Sequence, residues 1–215
     1  MKRKPAIEEL LKVMARLRAP DGCPWDREQD HRTLRRHAIE EVYELIDAIE
    51  AGDDHEMAEE LGDLLLQVVL HCQMAKERGA FDFEQVTQHL VDKLVRRHPH
   101  VFGDTKVKDV DEVWANWEII KHAERKGTRH ERPSALDGIP KHLPALLRAE
   151  KLVKKARKAH LLTDGKPHRK ASKAALAKQL FALAQSAQAH GWSAEELLCD
   201  EIKRRERELR DRESR

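Results

Sequence analysis

Aromatic residues are scarce in this chain: Phe, Trp and Tyr make up 4% of its 215 residues, and only one of them is a tyrosine. A β-sandwich of this length would draw on aromatics to fill its strand faces, whereas a composition that is 37% charged suits helices with polar outer faces. The three cysteines, Cys23, Cys72 and Cys199, are too few and too scattered for a disulfide framework. Neither CxxC nor HExxH occurs, which removes zinc sites of those types. Long apolar runs are also missing. The longest is broken by Gln67, and acids interrupt the basic opening MKRKPAIEELLKVM, so the expectation is a cytoplasmic protein with neither an export signal nor a membrane span.

Charge of one sign is not in overall excess, since the formal net charge is +2, but it is unevenly placed. Residues 1–150 carry 24 Lys and Arg against 30 Asp and Glu, and residues 151–215 carry 17 against 9. A basic end can bind nucleic acid, but this one lacks interleaved aromatics and a reading motif, so a solvated lysine-rich surface is expected and nucleic acid is not an expected partner.

What is present is helical periodicity. Apolar positions recur at helical spacing over residues 7–17, until Pro20, Gly22 and Pro24 break the pattern and a loop carries Trp25. The spacing predicts further helices over residues 27–51, 55–78, 83–97 and 110–126. It predicts a proline-rich connector over 127–144 that is extended rather than packed, then helices over 145–160, 171–190 and 194–211, with TDGKPHRK as a loop. The expected architecture is all-α, a helical bundle with a four- to five-helix unit over residues 1–126 and a short basic region over 145–215. The late helices weakly repeat the early ones: LGDLLLQVVLHCQ from Leu61 aligns with LAKQLFALAQSAQ from Leu176, and DKLVRR with DEIKRR. Glu60 then falls opposite Ala175, Asp63 opposite Lys178 and Lys93 opposite Glu201. The second copy has lost its acids and is expected to be non-catalytic.

The chemistry concentrates between Glu40 and Leu65. Gly52 suits a helix C-terminus, and Asp53 or Asp54 suits the next N-cap. Glu44 stands eight residues before Gly52 and Glu60 eight after, while Glu41 stands eleven before and Asp63 eleven after. In an antiparallel hairpin each pair meets at equal height, roughly 12 and 16 Å from the turn. Ile39, Val42, Ile46 and Ile49 keep helical spacing on the first helix, and Leu61, Leu64, Leu65, Val68 and Val69 make the second nearly apolar all round, which predicts a central position for it. Four carboxylates converging there repel, by about 1 kcal/mol per pair at 4 Å in water and about 4 kcal/mol at an effective dielectric of 20, unless a cation or protons intervene. All-oxygen ligation favours Mg²⁺, with Mn²⁺ as a substitute, and Mg²⁺ commonly completes its shell with water and phosphate. Lys93 with Arg97, and Trp117 with Lys121, each sit one turn apart and offer cations and an aromatic plane for the remaining charge. His98 and His100 in HPHVF suit turn packing more than phosphate contact, and Trp25 suits either a base pocket or a core plug.

In order, GCPWD (22–26), EEVYE (40–44), EELGDLLLQVV (59–69), DKLVRRHPHVFGD (92–104), WEIIK (117–121) and SALDGIPKHLPAL (134–146) resemble the MazG-type nucleoside triphosphate pyrophosphohydrolases. The resemblance covers about residues 6–150. It implies an all-α fold, a homodimer or higher assembly, and Mg²⁺-dependent hydrolysis of (d)NTPs to the monophosphate and pyrophosphate. It also implies Glu41, Glu44, Glu60 and Asp63 as metal ligands and Lys93, Arg97, Trp117 and Lys121 as nucleotide contacts. Either Glu40 or Glu41 would serve as the base that activates water, and Glu40 would otherwise sit in the outer shell. Members with two domains often keep the acids in both copies. This chain departs from them, so activity is expected in its first half. Two other readings are open at this point: a non-catalytic helical module that uses the hairpin for assembly or regulatory metal binding, and nucleic-acid binding through the basic end.

Overall fold

A computed structural model describes residues 5–162 and 172–214. The described residues form ten helices and no strand: α1 (Ala6–Leu17), α2 (Pro24–Glu28), α3 (Arg35–Ala51), α4 (Asp54–Glu77), α5 (Phe83–Arg97), α6 (Pro99–Phe102), α7 (Val110–Arg125), α8 (Ala145–Lys158), α9 (Lys173–Ala189) and α10 (Ala194–Glu213). The all-α expectation holds. TDGKPHRK lies outside the described residues. None of the described helices is long and apolar enough to cross a membrane.

Contacts divide the chain into one unit over residues 1–109 and another over 110–215. The division falls one helix before the connector, so α7 groups with the later helices.

In the first unit α4 touches α1, α3 and α5. Its core is Met14, Leu34, Val69, Leu70 and Met74, with Leu10, Leu11, Leu17, Leu66 and Phe83 packed around it. The central position expected for α4 therefore holds for its C-terminal half, where burial begins at Gln67. It does not hold for the other half: Leu61 is 51% exposed, and Ile39, Val42, Ile46 and Ile49 on α3 are exposed as well. The two helices pair with each other there, and none of the other described helices of the unit buries those outer faces.

The helix expected over 27–51 is in fact two. Pro24 opens α2, where its missing N–H costs nothing, so Trp25 is helical rather than in a loop. Asp30 then ends the run, because its carboxylate accepts from the backbone N–H of Arg32 at 2.6 Å and of Thr33 at 2.8 Å, giving the chain a local alternative to helix. These bonds hold the Asp30 carboxyl below its ordinary value. Trp25 plugs no core. It is half exposed and meets His37 edge-on at 6.0 Å.

In the second unit Leu136, Ala145, Leu152, Ala156, Ile202 and Leu209 form the core. Leu136 belongs to the segment expected to be extended and unpacked, and it is buried. Two features pull that segment in: the apolar Leu136 and Ile139, and the Glu213 carboxylate, which accepts from Ser134 Oγ at 2.5 Å and the Ala135 N–H at 2.6 Å. Arg148, itself buried, donates to Glu206 at 3.0 Å.

Candidate metal centre

The site is built by the α3–α4 turn. Gly52 adopts φ +68°, a left-handed conformation in which a side chain is strained, and its N–H and that of Asp53 return to carbonyls at the end of α3. Asp53 then accepts from the backbone N–H of His55 at 2.9 Å and of Glu56 at 3.1 Å, starting α4 at once. A turn this short leaves the helices antiparallel and in register, and theirs is the most extensive pairing among the described helices.

That register brings carboxylate oxygens of Glu41, Glu60 and Asp63 within 4.8 Å of one another. All three side chains are partly buried. Burial first, then repulsion from Asp63 and Glu44, pushes the Glu41 carboxyl above its ordinary value against the opposing hydrogen bond from Gln67. Burial, followed by repulsion from Glu44, Asp63 and Glu41, pushes Glu60 up in the same way. Glu44, itself exposed, thus lies within electrostatic reach of both. Glu40 turns elsewhere: it is exposed and pairs with His37 Nδ1 at 3.2 Å.

The donor set fits a hard divalent cation. Oxygen ligands of one sign converge, and Glu60 Oε2 is buried with no hydrogen-bond partner among the described residues, a costly arrangement in the absence of a counter-charge.

The expected nucleotide contacts fall on two helices. Lys93 and Arg97 lie one turn apart on α5, which packs on α4. Trp117 and Lys121 lie on α7 in the second unit, where Lys121 Nζ sits 5.6 Å from the Trp117 ring centroid and donates to Glu118 at 3.1 Å. Trp114 adds an edge-to-face contact with Trp117 at 5.3 Å. His98 binds back to the Leu94 carbonyl at 2.6 Å and faces His100, in keeping with a turn-packing role.

Two polar features escape the reading of acids and bases. Gln67, one turn beyond Asp63, is buried and donates to Glu41 Oε1 at 3.3 Å. Its sequence signal was a lone polar residue inside an apolar run. One further turn along α4, His71 meets His31 with the two Nδ1 atoms 2.7 Å apart and the rings within 7° of parallel, the geometry of one shared N–H···N bond. Burial, then the neighbouring His31, holds His71 below the ordinary histidine value. Spacing within α4 places His71 on the acid face, but nothing in the sequence pairs it with His31.

The fold and site together define a class, an all-α protein whose helical hairpin carries a carboxylate cluster suited to a divalent cation. Residues 29–102 match the MazG nucleotide pyrophosphohydrolase domain, so that stretch of the chain is a MazG-type domain. It is 50% identical over 150 residues to the nucleoside triphosphate pyrophosphohydrolase of Escherichia coli K12, and 48% identical over 150 residues to the nucleoside triphosphate pyrophosphohydrolase/pyrophosphatase MazG of Thermotoga maritima. These alignments take in 69% and 70% of this chain and 56% of each relative, so the chain spans little more than half their length. A crystal structure of a mazG-related protein from Thermotoga maritima covers 53% of this chain and 97% of its own, at 28% identity and a TM-score of 0.46.

Proposed function

We propose that this chain hydrolyses nucleoside triphosphates to the monophosphate and pyrophosphate, with Mg²⁺, or Mn²⁺ in its place, held by Glu41, Glu44, Glu60 and Asp63. One observation carries the reading: three carboxylates converge within 4.8 Å, and one of them, Glu60, has a buried oxygen with no hydrogen-bond partner among the described residues. The names of the relatives support the reaction. When bound, the cation supplies Lewis-acid polarisation of phosphate oxygens and acidifies a coordinated water. The remaining work falls to the chain. Lys93, Arg97 and Lys121 offset the triphosphate charge, and Trp117 offers a plane to the base. Glu41, or Glu40 swinging away from His37, takes the proton from the attacking water. The product restores no triphosphate to the pool, which suits pool control or house-cleaning in the cytoplasm. The exposed apolar residues of α3, α4 and α5 support a homodimer or higher assembly.

Product analysis with a panel of NTPs and Mg²⁺ tests this. Monophosphate and pyrophosphate are expected; diphosphate and orthophosphate would overturn the reaction assignment. Asp63→Asn should abolish turnover while leaving the helical circular dichroism unchanged.

A second reading, polyanion binding by the second unit, has one observation in its favour. A 930 Å³ basin there is lined by Lys121, Arg125, Lys126, Arg132, Lys151 and Lys154 among others, against only four acids. Binding of the intact chain to single-stranded DNA or RNA with a steep salt dependence would support it.

A further inference from the structure

The acid face of α4 does not end at the expected ligands. Glu60, Asp63 and Gln67 follow at spacings of three and four, so all three face α3. Gln67 is the uncharged one of these three, and it is 7% exposed. Its Nε2 donates to Glu41 Oε1 at 3.3 Å. The opposite orientation of the amide would set a carbonyl oxygen against a carboxylate, so the chemistry fixes which end faces Glu41. Its Oε1 is buried and has no partner among the described residues. A residue kept for packing alone would be apolar here, as Leu66, Val69 and Leu70 beside it are.

We infer that Gln67 is a positioning residue for Glu41, holding that carboxylate toward Glu60 and Asp63 in the geometry that receives the cation. The inference rests on the proposed cation site. A neutral donor suits this task for an electrostatic reason. Lys or Arg at the same place would neutralise Glu41 and compete with the cation, and a carboxylate would add to the repulsion. An amide fixes one Glu41 oxygen and leaves the full negative charge available. The unmet Oε1 has a use in the same place, as an acceptor for a water or hydroxyl hydrogen brought into the site. Residues that hydrogen-bond a metal ligand in this way typically contribute 10- to 100-fold to metal affinity.

The test is Mn²⁺ binding to the nucleotide-free full-length protein, followed by electron paramagnetic resonance, for wild type, Gln67→Met, Gln67→Asn and Glu41→Gln. Met keeps the volume without the donor, and Asn keeps the amide but is one methylene too short to reach. Both should weaken Mn²⁺ binding by about tenfold or more, while Gln67→Met melts at or above the wild-type temperature in chelator. A purely structural role would lower the melting temperature and leave the Mn²⁺ affinity unmoved, and that pattern in either folded variant overturns the inference. Failure of wild type to bind Mn²⁺, or undiminished binding by Glu41→Gln, would overturn the cation site itself. Weakening by Glu41→Gln alone, with both Gln67 variants at wild-type affinity, would sink only the role of Gln67.

Discussion

Glu41→Gln separates the function of the carboxylate cluster from its stability, because the two respond with opposite sign. The substitution keeps the shape of the side chain and leaves an oxygen for the Gln67 amide, but removes one charge from three acids within 4.8 Å. At that separation two unit charges repel by about 0.9 kcal/mol at the dielectric of water and about 3.5 kcal/mol at an effective dielectric of 20. Glu41 is only partly buried, so solvent screening keeps the relief near the lower end, about 1 kcal/mol. In chelator at pH 7.5 the variant should therefore melt above wild type, by roughly 4 °C for a unit of this size. With saturating Mn²⁺ the order should reverse, since a cation at a hundred times its dissociation constant stabilises only the protein that binds it, by about 2.7 kcal/mol. The pH dependence follows from the raised carboxyls. Glu41 and Glu60 are pushed above the ordinary glutamate value of 4.5, so wild type takes up protons on folding as the pH descends toward that value. Their repulsion is then relieved, and the advantage of the variant in chelator should fade as the pH approaches 4.5. Differential scanning fluorimetry across pH, with and without Mn²⁺, reads all three effects. A variant that melts below wild type in chelator, or gains as much from Mn²⁺ as wild type does, would refute the reasoning.

Other outcomes follow from individual contacts. Arg18 joins the end of α1 to the end of α4 through a two-pronged pair with Glu77 at 2.8 Å, and also donates to the backbone oxygens of Asp26 and Gln29. Arg18→Met should cost about 1 to 2 kcal/mol in urea unfolding at pH 7, the range for a partly exposed charged hydrogen-bonded pair. Arg18 holds the Glu77 carboxyl below 4.5, so this contribution is present above that pH and lost as the pH falls below it, where the two melting curves should converge. At the hairpin turn, Gly52→Ala forces a side chain into φ +68° and should cost roughly 1 kcal/mol. Asp53→Ala removes the acceptor for two N–H groups and should cost about 1 kcal/mol more. Lys93→Ala and Arg97→Ala should raise KM for the triphosphate without altering Mn²⁺ affinity in its absence.

The hairpin was legible because its determinants are local. Gly52 and Asp53 announce a short turn, and a short turn between two helices leaves register as simple counting, so Glu41 falls against Asp63 and Glu44 against Glu60 before any packing is known. The Asp30 break was less visible. One Asx turn overrode a continuous helical pattern, and its hydrogen bonds to Arg32 and Thr33 are stronger than the weak propensities that favoured helix through residues 27–34. Leu136 was misjudged for the opposite reason: three prolines and a glycine signal a connector, yet burial of its apolar residues depends on Ile202 and Leu209 arriving from the far end of the chain.

The sequence by itself determined the helical class, the turn at Gly52 and the register that brings Glu41, Glu60 and Asp63 together, because helical pitch and glycine stereochemistry act over a few residues whatever surrounds them. Tertiary structure alone decided that Gln67 points at Glu41, that His31 Nδ1 meets His71 Nδ1, and that full burial on α4 begins at Gln67 and not at Leu61. Each of those joins parts of the chain that only packing brings together, and burial is set by which neighbours exclude water, a quantity no local pattern contains.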